Sequence, residues 1–419
     1  MNMDVTNDYE DRNSPEKRGG AGVSSMSEDY VVIEEGRARI KVPNPAKYLR
    51  PDNVYEPAWA PVFYNPAQTM NRDVSVLVLT ALLNTQNFEK PVRVADPFSG
   101  TGVRAVRYAI EVPGVDEVYA NDLDPNAFKL IQENVRMNNV QGKVRVFRGD
   151  ANAILYMLKS LGYTFVFVDI DPYGTPAPYV DAGIWSTRNH GILAATATDT
   201  APLSGSKYLA GSRRYDVKLL PNDVGVEVGL RVLLGFMARR GATRDRVVEP
   251  LLSFYSGHYY RVFARVSKGA TKASEVLSNQ VSYLLICDRC GFRTYTNKVV
   301  EGEVCSFCGG PVKLLGPLWR GELVNTSFLK ILKDLLSRFS YLQSRDKLAK
   351  LLEFLASEET GLPAYNLVTL ARFLKTNLPP VKKVLECLRK AGYRASRTHV
   401  APQYIRTDSD LETLLKCVS

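Results

Sequence analysis

The chain has 419 residues, of which 45% are hydrophobic and 23% charged, and this length suggests two globular domains. Its formal net charge of +10 favours a polyanionic partner, although many basic proteins bind no nucleic acid. No apolar run approaches the roughly 20 residues of a membrane helix, and the N-terminus has the pattern of neither a signal peptide nor a transit peptide. We expect a cytoplasmic monomer without a membrane partner.

The predicted elements of the first half alternate between strand and helix. Residues 1–28 are polar and are predicted to form a disordered tail. A hairpin over 30–33 and 38–42 and a helix over 73–85 follow. Further strands are predicted at 92–96, 117–122, 144–148, 165–169, 191–196 and 259–266, and further helices at 103–111, 126–137 and 153–161. This order predicts an α/β domain over 29–267 with a mostly parallel, doubly wound sheet.

The second half has a different pattern. Residues 268–274 are small and polar and indicate a domain junction, so 268–419 is predicted to be a separate C-terminal domain. Helices are predicted at 328–339, 346–356, 368–374 and 381–391. The last two helices, followed by residues 393–397, favour a winged-helix-like unit.

A glycine-containing loop follows the first strand of the sheet. It begins at Asp96 and contains Gly100 and Gly102, and it leads into a helix. Glycines at this position permit a tight turn and a close approach of the backbone to a ligand. A dinucleotide loop needs a third glycine at position 105, where this chain has Ala105. The pattern therefore suits a sulfonium nucleoside better than a pyrophosphate, and an ordinary strand-to-helix turn stays open.

Acidic residues also stand at the ends of the next strands. Asp122 ends the second strand and can bind both hydroxyls of a ribose. Asp150 ends the third and can accept a proton from a purine amine. Either side chain could instead cap a helix, but successive acidic strand ends are harder to explain by capping. A nucleoside site at this edge of the sheet is therefore predicted.

The fourth strand of the sheet ends in Asp171-Pro172-Tyr173. An exocyclic amine on a base is a weak nucleophile, because its lone pair is delocalised into the ring. Asp171 can accept one amine hydrogen and a carbonyl near Pro172 another, while Tyr173 can stack on the base. We expect an acceptor site for amino methylation here, with a simple β-turn as the alternative.

Two residues upstream of the sheet are candidates for the same site. Phe63 can form an aromatic wall for the base, and Arg72 can bind the carboxylate of a methionine moiety. The alternatives are core packing for Phe63 and a surface ion pair for Arg72.

The cysteines fall into two groups. Cys287, Cys290, Cys305 and Cys308 form two C-x-x-C pairs separated by fourteen residues, a spacing typical of a structural zinc ribbon, here placed over 283–313. Cys387 and Cys417 stand alone and are expected to be buried small hydrophobic residues. A disulfide framework is not expected in a chain this long with only six cysteines. The histidines, including His258, show no constellation and are predicted to be structural or surface residues.

As a set, these motifs closely resemble the tRNA guanine-26 N2-dimethyltransferases of archaeal type. The matching segments are Phe63-Tyr64-Asn65-Pro66, Asn71-Arg72-Asp73, Ser99-Gly100-Thr101-Gly102-Val103-Arg104, Asn121-Asp122, Gly149-Asp150-Ala151, Asp169-Ile170-Asp171-Pro172-Tyr173-Gly174, the run from Thr198 to Gly205, and the four cysteines. The resemblance covers about residues 30–400. Some members look to have Phe where this chain has Tyr173; the tyrosine leaves stacking intact and adds a hydroxyl of unknown role.

The resemblance implies a class I, Rossmann-like methyltransferase domain and an α+β C-terminal domain that carries the zinc ribbon and binds tRNA. It implies S-adenosylmethionine as methyl donor, with contacts from Arg72, Arg104, Asp122, Asp150 and Ala151. It also implies Asp171 as the catalytic carboxylate, with Phe63 and Tyr173 around the base. Rival hypotheses are an amino methyltransferase for rRNA guanine or DNA adenine, and a non-catalytic zinc-ribbon RNA-binding protein.

Overall fold

The computed structural model describes residues 29–298, 302, 304–358 and 364–419, so the predicted tail 1–28 lies outside the described residues. The first elements of the described residues are the two strands of the predicted hairpin, β1 (Tyr30–Glu35) and β2 (Ala38–Pro43), which pair antiparallel. Gly36 forms the turn at a φ of +61°, and an added Cβ would lie 2.2 Å from Glu111 Oε1. The hairpin turn is therefore pressed against the helix that carries Glu111.

A seven-stranded sheet forms the centre of the first half. Its strands are β3 (Arg93–Asp96), β4 (Glu117–Asp122), β5 (Val144–Arg148), β6 (Phe165–Ile170), β7 (Thr187–Ala197), β8 (Arg246–Ser256) and β9 (Tyr259–Lys268). The spatial order is β5-β4-β3-β6-β7-β9-β8. Strands β3 to β7 are parallel, and β9 runs antiparallel to both of its neighbours. The doubly wound α/β prediction is confirmed, with one antiparallel strand inserted near an edge.

Helices cover this sheet. They are α1 (Thr69–Thr85), α2 (Val103–Glu111), α3 (Pro125–Met137), α4 (Ala151–Ser160), α5 (Val180–Ser186), α6 (Thr200–Leu203), α7 (Tyr208–Tyr215) and α8 (Gly225–Ala242). Every residue of β6 is buried, as a continuous apolar run in a parallel sheet predicts. The sequence pattern missed α8, because this helix is buried almost all round and shows no polar face.

The C-terminal elements begin with α9 (Ala270–Gln280), which covers most of the predicted junction. A three-stranded sheet follows, formed by β10 (Val281–Ile286), β11 (Arg293–Thr296) and β12 (Lys313–Trp319) in the order β11-β10-β12. The remaining elements are α10 (Thr326–Leu336), α11 (Arg345–Ala356), β13 (Tyr365–Asn366), α12 (Leu367–Leu374), α13 (Val381–Lys390), β14 (Ala395–Arg397), β15 (Tyr404–Thr407) and α14 (Leu411–Val418).

The last of these elements form the winged-helix-like unit that was predicted. A short strand precedes two helices, a hairpin follows them, and β15 lies in the middle of the sheet order β13-β15-β14. Buried residues of α12 and α13 form a second hydrophobic core that also contains Cys287, Cys290 and Cys305. Helices α10 and α11 instead share the main core with the seven-stranded sheet and its helices. The domain division at residue 268 stays a prediction.

Cys387 and Cys417 are not isolated, contrary to the expectation from the sequence. They form a disulfide between α13 and α14, with their Cα atoms 5.6 Å apart. Their sequence separation of 30 conceals the pairing in the sequence, because the two helices meet only in the folded unit. Among the described residues, no helix has the length and apolar character needed to cross a membrane.

Candidate active site

A cavity of about 760 Å³ opens at the carboxyl edge of the sheet, within the size range of ligand sites. The loops after β3, β4 and β6 contribute to its wall, together with the segment before α1. The lining residues that matter here are Glu56, Phe63, Arg72, Gly100, Thr101, Arg104, Asp122, Asp171, Pro172, Tyr173, Thr198 and His258. The structure therefore brings most of the predicted site residues to one place.

The glycine loop forms one wall of this cavity. Gly100 has a φ of +54°, and its N–H donates to Asp122 Oδ2 at 2.8 Å. A Cβ at Gly100 would lie 3.0 Å from the Phe63 carbonyl oxygen, so only glycine fits without a shift. Gly102, with a φ of +79°, lies outside the cavity lining and precedes α2, where an added Cβ would contact Ile131. The loop thus contacts both the carboxylate of Asp122, which is predicted to bind the donor, and the backbone of Phe63, the predicted aromatic wall.

The other acidic candidates occupy different places. Asp96 is fully buried behind the loop and accepts a hydrogen bond from Ser99 Oγ at 2.9 Å. Burial raises the pKa of the Asp96 carboxyl to about 7, although the charge of Arg104 opposes this shift. Asp150 is exposed and caps α4 through Ala153 N–H, and neither it nor the buried Ala151 lines the cavity. The capping alternative is therefore realised at Asp150, and its role towards a donor stays a prediction.

Asp171 lies in the cavity wall and is held by an arginine. The Arg104 guanidinium binds Asp171 through Nη2 and Asp169 through Nη1, the latter at 3.0 Å from Oδ2. Asp171 keeps 21% of its side chain exposed, whereas Asp169 is fully buried. Arg104 therefore fixes the exposed carboxylate at the cavity edge by a charge-assisted contact.

Asp169 was not singled out by the sequence and forms the buried centre of this cluster. Its Oδ2 also accepts hydrogen bonds from Tyr108 Oη at 2.6 Å and from Arg261 Nη2 at 2.9 Å. Burial would raise the pKa of Asp169, but the charges of Arg104 and Arg261 outweigh it and lower the pKa. The ionised Asp169 thus anchors Arg104 from behind. No local motif identifies Arg261, because it comes from β9, at the other end of the domain.

The aromatic rings of Phe63 and Tyr173 line the cavity on the side predicted to hold the acceptor base, which we call the acceptor side. Phe63 is 44% exposed and Tyr173 is 83% exposed, so neither is a core residue. Their ring centroids lie 6.1 Å apart at an interplanar angle of 71°. The core-packing alternative for Phe63 is wrong, and both rings are available to contact a planar ligand.

Arg72 lines the cavity, but its guanidinium is also paired. Arg72 Nε and Nη2 each lie 2.6 Å from an oxygen of Glu35, which is buried. The surface ion pair considered from the sequence is therefore a buried, bidentate one. Burial would raise the pKa of Glu35, but Arg72 and Arg107 outweigh it and lower the pKa to about 2.

The stability conferred by Glu35 should depend on pH with a defined sign. Because the folded-state pKa is lowered, this contribution is present above the ordinary value of 4.5 and is lost as the pH falls towards about 2. Glu35→Gln should lower the free energy of unfolding most at pH 7, and the gap from the wild type should narrow below pH 4.5. Denaturant titrations at several pH values measure this gap, and a pH-independent gap would contradict the assignment.

The sequence missed several residues of the cavity wall. His258, expected to be structural or at the surface, lies in the turn between β8 and β9 and lines the cavity. Thr198 also lines it, and its Oγ1 accepts a hydrogen bond from Gly174 N–H at 2.9 Å. No sequence signal marked His258, whereas Thr198 belongs to a run already quoted for the family resemblance.

The cavity fits a nucleoside methyl donor by the chemistry of its wall. Thr101 lines the cavity and is 1% exposed, and its buried hydroxyl has no hydrogen-bond partner among the described residues. Asp122, in the same wall, accepts backbone hydrogen bonds from Gly100 and Asp124. A carboxylate has additional acceptor positions for ribose hydroxyls.

The four predicted zinc ligands form one cluster. Their Sγ atoms all lie within 4.8 Å of one another, and the Cys287–Cys308 and Cys290–Cys305 separations are 3.6 Å. Thiolates about 2.3 Å from a tetrahedral zinc ion lie about 3.8 Å apart, so the cluster fits that ion. Gly291 and Gly309 adopt positive φ values of 79° and 66° in the two knuckles. With four thiolates and no open position, the site is structural.

Removal of zinc should therefore unfold the C-terminal core before it affects the cavity. Three of the four cysteines pack against α12 and α13, so their dispersal should lower the melting temperature by about 5 °C or more. Scanning calorimetry with and without a chelator measures this effect, and added zinc should reverse it. An unchanged melting temperature after measured zinc release would contradict a structural role.

The inserted antiparallel strand, the glycine loop and the acidic strand ends together define a class I methyltransferase. A family model described as N2,N2-dimethylguanosine tRNA methyltransferase matches residues 36–419, and the chain belongs to that family. S-adenosylmethionine is its methyl donor.

Relatives and a solved structure agree with this assignment. The tRNA (guanine(26)-N(2))-dimethyltransferase of Saccharolobus solfataricus is 40% identical over 388 residues, 92% of this chain and 98% of the relative. The protein of the same name from Metallosphaera sedula is 38% identical over 386 residues, 92% and 96% of the two chains. The complex of Trm1 from Pyrococcus horikoshii with S-adenosyl-L-methionine matches with a TM-score of 0.80 and 29% identity, over 93% of this chain and all of that one.

Proposed function

We propose that this chain transfers two methyl groups in succession from S-adenosylmethionine to the exocyclic N2 amine of guanine 26 in tRNA. The observation that carries the proposal is the position of Asp171, a carboxylate fixed by Arg104 in the wall of the cavity that the exposed rings of Phe63 and Tyr173 also line. The products are N2-methylguanosine and then N2,N2-dimethylguanosine.

The acceptor chemistry follows from the weak nucleophilicity of the guanine amine. Asp171 accepts one amine hydrogen and orients the nitrogen lone pair towards the donor, and the carbonyl near Pro172 takes a second hydrogen. Phe63 and Tyr173 hold the base plane by stacking. Arg104 prevents Asp171 from turning away, because its other nitrogen is bound to the buried Asp169. Asp171 then receives the proton that the amine releases.

The donor is assigned to the part of the cavity wall that contains Asp122 and the Gly100 loop. S-adenosylmethionine supplies an electrophilic methyl group on its sulfonium sulfur, and the remainder of the molecule is a good leaving group. Asp122 would bind the ribose hydroxyls, the Gly100 loop would contact the donor through its backbone, and Arg72 would bind the carboxylate of the methionine moiety. Asp96 and Gly102 would shape the loop from behind, while Asp150 and Ala151 at the end of β5 would contact the adenine. Arg104 would contact the donor as well, and it would remain bound to Asp171 when it does so.

The target guanine of the tRNA is assigned to the cavity, and the tRNA backbone is assigned to the C-terminal half of the chain. The C-terminal domain, residues 268–419, would bind the tRNA backbone through exposed basic residues of α13, which include Lys382, Lys383, Arg389 and Lys390. We further propose that the enzyme acts as a cytoplasmic monomer.

Mass spectrometry of nucleosides tests the proposal directly. Unmodified tRNA is incubated with the protein and labelled S-adenosylmethionine, then digested and analysed. Labelled N2,N2-dimethylguanosine mapped to position 26, and absent when that guanine is replaced by adenine, supports the proposal. Label in adenosine, or no label in spite of measured donor binding, would contradict it.

A further inference from the structure

Helix α7 is fixed to the acceptor side of the cavity. Tyr215 at its last turn donates from Oη to Asp199 Oδ1 at 2.8 Å, and the same hydroxyl lies 2.9 Å from Thr175 Oγ1. Asp199 and Thr175 directly follow the lining residues Thr198 and Gly174. The N-terminal end of the helix is also held, because Lys207 N–H donates to Ala201 O at 3.0 Å. Helix α7 is therefore a firm extension of the acceptor wall.

The inner face of α7 packs closely. A Cβ on Gly211 would lie 2.3 Å from the carbonyl oxygen of Pro202, so the helix backbone rests directly on the preceding segment. Arg214 strengthens this attachment by an ion pair with Asp199 at 3.0 Å.

The outer face of α7 is apolar and basic. Leu209 is 71% exposed, and among the described residues only Tyr173 is a more exposed large hydrophobic side chain. Tyr208 beside it is 38% exposed, and Lys207 and Arg213 are exposed as well. Leu209 and Arg213 are four residues apart and so share one face of the helix. A fixed helix that presents a leucine and cations to solvent is suited to a partner with apolar and anionic parts.

A tRNA helix from which one base has been removed has these two properties. A guanine that enters the cavity must leave its stack, at a cost of a few kcal/mol, and leaves a gap between its neighbours. Apolar side chains such as leucine fill gaps between base steps, and lysine and arginine bind the flanking phosphates.

We propose that Leu209, supported by Tyr208, occupies the gap left in the tRNA stack by the target guanine, while Lys207 and Arg213 bind the phosphates on either side. This inference rests on the proposed function, because it requires a stacked guanine as substrate. Leu209 lies about 9 Å along the helix axis from Tyr215, so the wedge stands beside the acceptor wall and leaves the cavity open.

Two tRNA substrates separate the wedge from general binding. In the first substrate, guanine 26 is stacked between its neighbours in the normally folded tRNA. In the second, the two nucleotides that flank guanine 26 are abasic, so that the guanine has no stacking neighbours and leaves no gap between bases. Leu209→Ala should lower kcat/KM about tenfold or more on the first substrate and leave the second unchanged. Leu209→Met keeps an apolar side chain of similar size and should retain activity on both.

Leu161→Ala is the matched control. Leu161 is 66% exposed and ends α4 at the opposite edge of the sheet, so this variant should behave as the wild type. Equal losses for Leu209→Ala on both substrates, or a loss on neither, would overturn the wedge. A wild-type protein that methylates guanine 26 in neither substrate would instead overturn the proposed function.

Discussion

Replacing Asp171 with asparagine is expected to lower kcat for methyl transfer by about 10²- to 10⁴-fold. Asparagine keeps the size of the side chain and one acceptor oxygen, but it cannot take the proton that the guanine amine releases. Arg104 should remain in place, because it still binds the buried Asp169. Dissociation constants for S-adenosylmethionine and for tRNA should therefore change little. Single-turnover kinetics together with donor-binding titrations measure the two effects separately.

Asp181→Asn is a suitable control for this variant. Asp181 also pairs with an arginine, Arg240, but it lies on α5 outside the cavity. Its replacement should leave transfer unchanged. Full activity of Asp171→Asn would remove Asp171 from the mechanism, and an equal loss in Asp181→Asn would show a general effect of removing a carboxylate.

Replacing Glu227 with alanine is expected to cost about 3–5 kcal/mol in the free energy of unfolding, the usual effect of breaking a buried ion pair. Glu227 is fully buried on α8, and its Oε1 lies 2.9 Å from Arg231 Nε and 2.6 Å from Arg406 Nη1. Burial would raise the pKa of Glu227, but the two arginines outweigh it and lower the pKa. The variant leaves both guanidinium groups buried near an apolar methyl group. Urea denaturation measures the loss.

Glu412→Ala provides the comparison for Glu227. Glu412 pairs with Lys416 at 2.8 Å on the surface of α14, where water screens both charges. The free energy of unfolding of this variant should be indistinguishable from that of the wild type. If the two variants lost equal stability, burial would not determine the strength of the Glu227 contacts.

The sequence predicted six of the seven strands of the sheet and missed β8. Strands β3 to β6 were recognisable because each has four to six residues and ends at, or within two residues of, an acidic residue. The bounds of β4 and β5 agree with the expectation at both ends. The same local signals placed Asp122, Asp171 and the glycine loop at one edge, since the carboxyl ends of parallel strands meet there. The cysteine spacing likewise predicted the cluster that the structure contains.

What the sequence could not predict depends on contacts between distant segments. Asp169 and Arg261 are 92 residues apart and meet only because β9 enters the sheet beside β7. The Cys387–Cys417 disulfide and the burial of α8 have the same origin in tertiary packing. The family resemblance assigned Arg104 to the donor, whereas the structure shows it between two carboxylates. A local motif identifies a residue type at an edge but not the partner that it selects.

The position of Arg261 has a consequence for synthesis of the chain on the ribosome. The glycine loop, Asp122 and Asp171 are synthesised earlier, but Arg261, one of the two arginines that bind Asp169, comes from β9, which ends at residue 268. That strand lies between β7 and β8 and pairs with both. A nascent chain that ends before residue 261 contains the residues predicted to bind the donor but lacks Arg261. Asp169, which binds Arg104 and through it Asp171, is then without one of its two arginines. The buried cluster around Asp169 can therefore be completed only after residue 261 has been synthesised.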